Sequence, residues 1–171
     1  MTAEATNEGS VSARLAAAPA YSYRADAGVP PFDDTHPLII YDAVCILCSR
    51  AMTAIARRDT TGKFQFASAQ SPLGQALFKH YGLDATAFET VLLLRDGHVA
   101  GKLDMEMDVA RTLGGPWRLF QIFQPLPRRI QDLIYDLIAK NRYRLFGRTD
   151  TCMRPDRSWR ARVIDHPADG L

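Results

Sequence analysis

The octapeptide Tyr41-Asp42-Ala43-Val44-Cys45-Ile46-Leu47-Cys48 constrains this chain more than any other segment. It completes Leu38-Ile39-Ile40-Tyr41, a short continuous apolar run of the kind that forms a central strand covered on both faces. A turn at Asp42-Ala43-Val44 leads from that strand into a helical stretch. There Leu47, Ala51 and Ile55 recur at i, i+4 and i+8, beside Cys48 and Met52. Arg57-Arg58 close the helix, where cations suit its C-terminal end. Cys45 is therefore expected at or just before a helix start, with Cys48 one turn further in. Two cysteines so spaced can bond with only local adjustment.

The remaining elements follow from punctuation and period. Lys63–Ala67 reads as a second strand. Ser71-Pro72, an N-cap followed by a first-turn proline, opens a helix that ends at Gly82. Thr90–Arg95 is a third strand, Asp96-Gly97 a hairpin turn and His98–Lys102 a fourth strand. Residues 105–113 form a helix stopped by Gly114-Gly115-Pro116. A longer helix runs from Pro127 to Tyr143 with Ile130, Leu133, Ile134, Leu137 and Ile138 on one face, and Gly147 ends that segment. The order β-α-β-α-β-β-α plus a C-terminal helical extension is α/β. With Cys-x-x-Cys at the first helix start, it is the order of a thioredoxin-like domain.

Length and composition fit one soluble domain better than two: 171 residues, 47% hydrophobic and 23% charged. No uncharged apolar run of about 18 residues is present to span a membrane. The Ala-rich stretch at 13–20 lacks the apolar core of a secretory signal. Residues 1–36, rich in small residues and broken by Pro30-Pro31, read as a flexible arm on which Tyr21, Tyr23 and Phe32 could dock. Residues 37–156 hold the ordered domain, and 157–171 form a tail. Three cysteines are too few for a disulfide scaffold, which points to a reducing, cytoplasmic setting.

Charge is unevenly spread. Residues 118–162 carry eleven basic and four acidic side chains, a balance of +7, whereas residues 1–37 carry two basic and five acidic. Arg128, Arg129, Lys140, Arg142, Arg144, Arg148, Arg154, Arg157, Arg160 and Arg162 read first as a solvated face. Attraction of nucleic acid, an acidic partner or a membrane surface is the functional alternative. Tyr143, Phe146 and Trp159 are too scattered to stack on bases, so nucleic acid is not expected.

The helix N-terminus offers unpaired N–H groups and partial positive charge, both favouring a thiolate at Cys45. That thiolate would attack a substrate disulfide and Cys48 would resolve the mixed disulfide. Two other readings stand beside this one. The pair could hold zinc with Cys152 and one of His36, His80, His98 or His166, although no regular ligand spacing supports the set. It could also be two buried small hydrophobes. A zinc-stabilised or basic partner-binding module is thus the non-catalytic alternative. Asp42, three residues before Cys45, suits either a proton acceptor for Cys48 or a turn carboxylate holding backbone N–H groups. Cys152 reads as a packed thiol. The apolar Ile46-Leu47 pair offers no charge to stabilise a thiolate, so a reducing rather than a strongly oxidising dithiol is expected.

These residues resemble a known family. Asp42-x-x-Cys45-x-x-Cys48 is similar to the D-x-x-C-x-x-C signature of the DCC-type predicted thiol–disulfide oxidoreductases, small thioredoxin-like proteins widespread in bacteria. The resemblance continues through Leu113-Gly114-Gly115-Pro116-Trp117. It resumes over Asp132-x-x-Tyr135-x-x-Ile138-Ala139-x-Asn141-Arg142-Tyr143-x-x-Phe146-Gly147-Arg148 and ends at Cys152-x-x-Pro155. It implies dithiol–disulfide exchange with protein or small-molecule thiols and disulfides, Cys45, Cys48 and Asp42 as the site, and no metal or organic cofactor. Two positions depart from the pattern: Ala43 stands where glycine is usual, and Leu103-Asp104-Met105 where Ser-x-Ala is common. No proline occurs between Pro72 and Pro116, so the proline that thioredoxins place before the strand facing their dithiol has no counterpart.

Overall fold

The computed structural model describes residues 11–88, 90–150 and 155–164. Strands β1 (Leu38–Tyr41), β2 (Gln65–Ser68), β3 (Leu92–Arg95) and β4 (His98–Gly101) form one sheet in the order β2-β1-β3-β4. β1 runs parallel to β2 and antiparallel to β3, which pairs antiparallel with β4. The crossover between β1 and β2 is helix α2 (Ile46–Arg58), and the one between β2 and β3 contains α3 (Pro72–His80). Helix α4 (Lys102–Leu113) follows β4 directly. This is the expected thioredoxin-like order.

The apolar run of β1 is continuous because both of its faces are covered. Leu38 and Ile40 pack with Leu73, Leu77 and Phe78 of α3 on one side. Ile39 and Tyr41 pack with Met52 and Ile55 of α2 and Met105 and Val109 of α4 on the other. Leu38, Ile39 and Ile40 are fully buried, each worth about 1.5–3 kcal/mol of transfer free energy. At the start of α3, Ser71 Oγ accepts from Gly74 N at 3.1 Å, the cap expected from Ser71-Pro72. Gly74 is glycine for space: a Cβ there would lie 2.2 Å from the Ser68 carbonyl oxygen.

Within the segment read as an arm, the described part lies against the sheet. Helix α1 (Val11–Ala16) buries Leu15, and a following 3-10 turn (Ser22–Ala25) buries Tyr23, both in the core layer shared with α3. Phe32 packs against the same layer, with its ring 5.4 Å from that of Tyr23. These anchors are single residues without a period, so composition alone reads the segment as loose.

At the other end, residues 155–164 cover the free edge of β2. Ile164 N donates to Phe66 O at 3.0 Å, and Trp159 is buried with its ring edge-on to Phe66 at 5.0 Å. Buried Asp59, just after α2, accepts from Phe64 N at 2.9 Å and Arg162 Nη1 at 2.8 Å, fastening this segment. Arg162 is therefore a structural cation and not part of a free basic face.

A 3-10 helix (Gly115–Phe123) leads to helix α5 (Arg128–Phe146), the C-terminal extension expected from sequence. Its orientation differs from what the apolar stripe suggests. Gln131, Ala139 and Arg142 face inward and are buried, while Ile130, Leu133, Ile134, Leu137 and Ile138 are turned to solvent. The reason is what the helix covers. Beneath it lie polar groups, Lys102 and Asp42, and each takes its charged partner from α5.

Candidate active site

Cys45 is the residue that caps α2. Its backbone is extended (φ −80°, ψ 119°), and its sulfur accepts from Cys48 N at 3.3 Å. A sulfur serves here in place of the usual hydroxyl or carboxylate oxygen, and a thiolate is the better acceptor. Both cysteines are free thiols, one turn apart as their spacing predicts. The Cys48 thiol also donates to the Cys45 sulfur. Together with the Cys48 N–H and the nearby Arg142 charge, that bond outweighs burial and the Asp42 carboxylate and brings Cys45 down to about 7. The same sulfur–sulfur bond, followed by burial and the Cys45 charge, pushes Cys48 far above the ordinary thiol range. One thiolate is favoured, on Cys45, with the proton held on Cys48.

The loop between β1 and α2 is held by a polar cluster centred on Asp42, which is 2% exposed. Its Oδ1 accepts from Val44 N at 3.2 Å and Gln70 Nε2 at 2.6 Å. Its Oδ2 accepts from Arg142 Nη2 at 3.3 Å and from the Tyr143 hydroxyl. Gln70 Oε1 in turn accepts from Ala43 N at 3.1 Å, so one amide clamps both ends of the turn. Each carboxylate oxygen of Asp42 thus has two donors, and the Val44 bond is the turn contact expected of a carboxylate there. Ala43 is buried and its φ lies outside the left-handed region, so this turn has no need of glycine.

Arg142, placed by its sequence among the surface cations, is 5% exposed. Besides Asp42, its guanidinium donates to the carbonyl oxygens of Ala87, Phe88 and Ala139 at 2.8–3.0 Å. Removing one partner of such a buried pair typically costs about 3–5 kcal/mol. Helix α5 thereby delivers a fixed positive charge to the underside of the dithiol. Tyr135, one turn pair earlier, takes Val91 N on its hydroxyl at 3.3 Å. Close to it, burial pushes Glu106 of α4 up to about 7.

The chain beyond α5 closes over the first cysteine. Gly147 ends the helix at φ 86°, a left-handed conformation suited to glycine, and turns the backbone back toward α2. Ile46 N then faces Gly147 O at 3.5 Å, and Arg148 forms an antiparallel bridge with Cys45. Thr149 N donates to Val44 O at 2.9 Å. Under this strap Cys45 is fully buried, whereas Cys48 is partly exposed.

The sequence placed Cys45, Cys48 and Asp42 together, and the structure brings all three into one cluster. Gln70, Tyr143 and the inward turn of Arg142 were missed. Of the histidines offered as zinc ligands, His80 instead pairs with Asp26 at 2.7 Å and Ser22 at 2.9 Å. His36 is exposed beside Asp33, and His98 is exposed on β4. Among the described residues no three His, Cys, Asp or Glu side chains group to hold a metal ion. Cys152 and His166 lie outside the described residues.

The model of the DCC1-like thiol-disulfide oxidoreductases matches residues 39–148, from β1 to the strap. The uncharacterized protein YuxK of Bacillus subtilis (strain 168) is 40% identical over 127 residues, covering 74% of this chain and 93% of that protein. The chloroplastic DCC family protein At1g52590 of Arabidopsis thaliana is 26% identical over 121 residues, covering 70% of each chain. No solved structure matches significantly.

Proposed function

The chain belongs to the DCC1-like thiol-disulfide oxidoreductase family, and from that premise we propose that it exchanges thiols and disulfides through Cys45 and Cys48. The observation that carries this reading is the split between the two cysteines. Cys45 is held as the acceptor of both Cys48 donors at a helix N-terminus, so the nucleophile and the stored proton are assigned before substrate arrives.

In the reducing direction, the Cys45 thiolate attacks one sulfur of a substrate disulfide. That S–S bond breaks, and the second substrate sulfur leaves as a thiolate. Once Cys45 is in a mixed disulfide, its charge and its hydrogen bond to Cys48 are gone, and these are two of the four causes that raise Cys48. Cys48 then gives its proton to the departing thiolate and attacks Cys45 Sγ. The Cys45–Cys48 bond forms, the first substrate sulfur leaves, and two electrons have passed to the substrate. Asp42 serves as a positioning residue that fixes the turn and pins the Arg142 charge beside the sulfurs. A reducing cytoplasmic pool of thiols suits regeneration of the dithiol.

One observation favours the opposite entry point. Cys48, not Cys45, is the partly exposed residue, so on this reading Cys45 acts first only when the 147–149 strap lifts. Trapping distinguishes the two orders. Cys48→Ser accumulates a mixed disulfide on Cys45 if Cys45 attacks first, and Cys45→Ser accumulates one on Cys48 if the order is reversed. The activity itself is tested by a glutathione redox titration of metal-free protein, with mass spectrometry locating the bond. A reversible two-electron transition confined to Cys45–Cys48 is expected. If no such bond forms, or if zinc must first be stripped, the oxidoreductase reading gives way to a metal-stabilised or adaptor module.

A further inference from the structure

We infer that the outer face of α5, with the 3-10 helix before it, docks on an anionic lipid surface. The inference stands apart from the dithiol chemistry and rests on how α5 divides its side chains. At 100° per residue, Ile130, Leu133, Ile134, Leu137, Ile138 and Leu145 fall within one arc of about 140°. That arc is exposed: Leu133 at 68%, Leu137 at 64% and Leu145 at 66%. Leu119 and Ile122 of the preceding 3-10 helix are exposed at 71% and 68%. An apolar patch of this kind on a folded chain marks an interaction surface.

Charge identifies the occupant. Both acidic residues of α5 are engaged by partners on the body, with the side chain of Asp132 16% and that of Asp136 37% exposed. Asp132 accepts from Ser12 Oγ at 3.0 Å, and Asp136 pairs with Lys102 Nζ at 2.8 Å. The fully exposed charged residues of the helix include Arg129 and Lys140 beside the apolar arc and Arg144 within its margin. Lys102 is itself placed for this sorting. It is buried, and its φ of 52° is left-handed, an unfavourable conformation for lysine that sets its side chain under α5. Apolar side chains bordered by cations, with the acids engaged by the body, match an anionic membrane interface in both respects. A second copy of the chain fits less well. Pairing α5 with itself in parallel sets each cation beside its equivalent, and antiparallel pairing sets Arg129 against Arg144, while the two acids of the helix are already engaged by Ser12 and Lys102. No helix among the described residues is long and apolar enough to cross a membrane, so the contact is one of lying on the surface.

The test is co-sedimentation of the full chain with phosphatidylcholine vesicles, with and without phosphatidylglycerol. Two double variants accompany it: Leu133→Ser with Leu137→Ser, and Lys140→Glu with Arg144→Glu. All four positions are exposed, and circular dichroism checks that each variant keeps its fold. Binding is expected only when phosphatidylglycerol is present, weakened by salt and reduced about ten-fold or more in either variant. Three results would overturn the proposal: no binding to the anionic vesicles, binding that neither variant weakens, or a dimer in ultracentrifugation that Leu133→Ser/Leu137→Ser abolishes. The last would assign the face to a second copy.

Discussion

Oδ2 of Asp42 and Nη2 of Arg142 are 3.3 Å apart, although 100 residues separate them along the chain. The bond ties the turn that carries the dithiol to the C-terminal helix, so the electrostatics of Cys45 depend on both halves of the molecule. Asp42 acts to raise Cys45 and Arg142 to lower it, and they sit in one buried pair.

Replacing Arg142 by Met removes the cation and leaves Asp42 without its charged partner. Cys45 should then titrate above about 7, because the lowering influence is lost and the raising one persists. Stability should fall by about 3–5 kcal/mol, the usual cost of breaking a buried pair from one side. Ultraviolet titration of the thiolate and urea unfolding measure the two effects. A Cys45 that titrates unchanged would remove Arg142 from the site.

The Cys45 thiolate should be half formed at about pH 7, against an ordinary thiol value of 9.0. In Cys48→Ala the midpoint should move up, since the Cys48 thiol is the largest lowering cause. The sign for stability follows. A group whose folded value is lowered contributes fully above its unfolded value, so this contribution is present above pH 9.0 and lost as pH falls through about 7. Cys48→Ala should flatten stability across that window. A midpoint unmoved by Cys48→Ala would mean that the sulfur–sulfur bond does not set the split.

Gly147→Ala forces a Cβ into the left-handed region at φ 86° and toward Ile46 Cδ1 at 3.2 Å. The strap should loosen by about 1 kcal/mol. Alkylation of Cys45 by a bulky reagent, slow in the parent because the sulfur is buried, should speed up several-fold. Equal rates in the two proteins would show that the strap does not control access.

Burial raises Glu106 to about 7, above its ordinary 4.5. The folded state therefore holds more protons than the unfolded state between those values, and stability should fall as pH rises from 4.5 through about 7. Glu106→Gln should remove this decline and leave the variant more stable than the parent at pH 8 by roughly 1–3 kcal/mol. Thermal unfolding across pH measures it, and parallel curves for the two proteins would refute it.

The parts of the fold that could be read in advance are those where local chemistry has one solution. Leu38–Tyr41 is apolar on consecutive residues only because both sides of β1 are covered, and Ser71-Pro72 can do little but start a helix. The cysteine pair at the head of α2 was legible for the same reason. Arg142 was not, because a cation near a helix end has an ordinary surface explanation, and no local pattern shows that Asp42 waits for it. Rotation of α5 was equally hidden. Its apolar stripe is visible in the sequence, but which side turns inward is decided by Lys102 and Asp42, far away along the chain. Gln70 lies in a polar loop and matters only through two atoms of its amide.

The long reach from Asp42 to Arg142 also carries a timetable. A chain made from its N-terminus exposes Cys45 and Cys48 well before α5 is synthesised. Until then the thiols have neither the buried cation beneath them nor the strap above. A nascent chain thus carries the two thiols without that cation or cover, and the complete site comes into being only once α5 and the strap have followed.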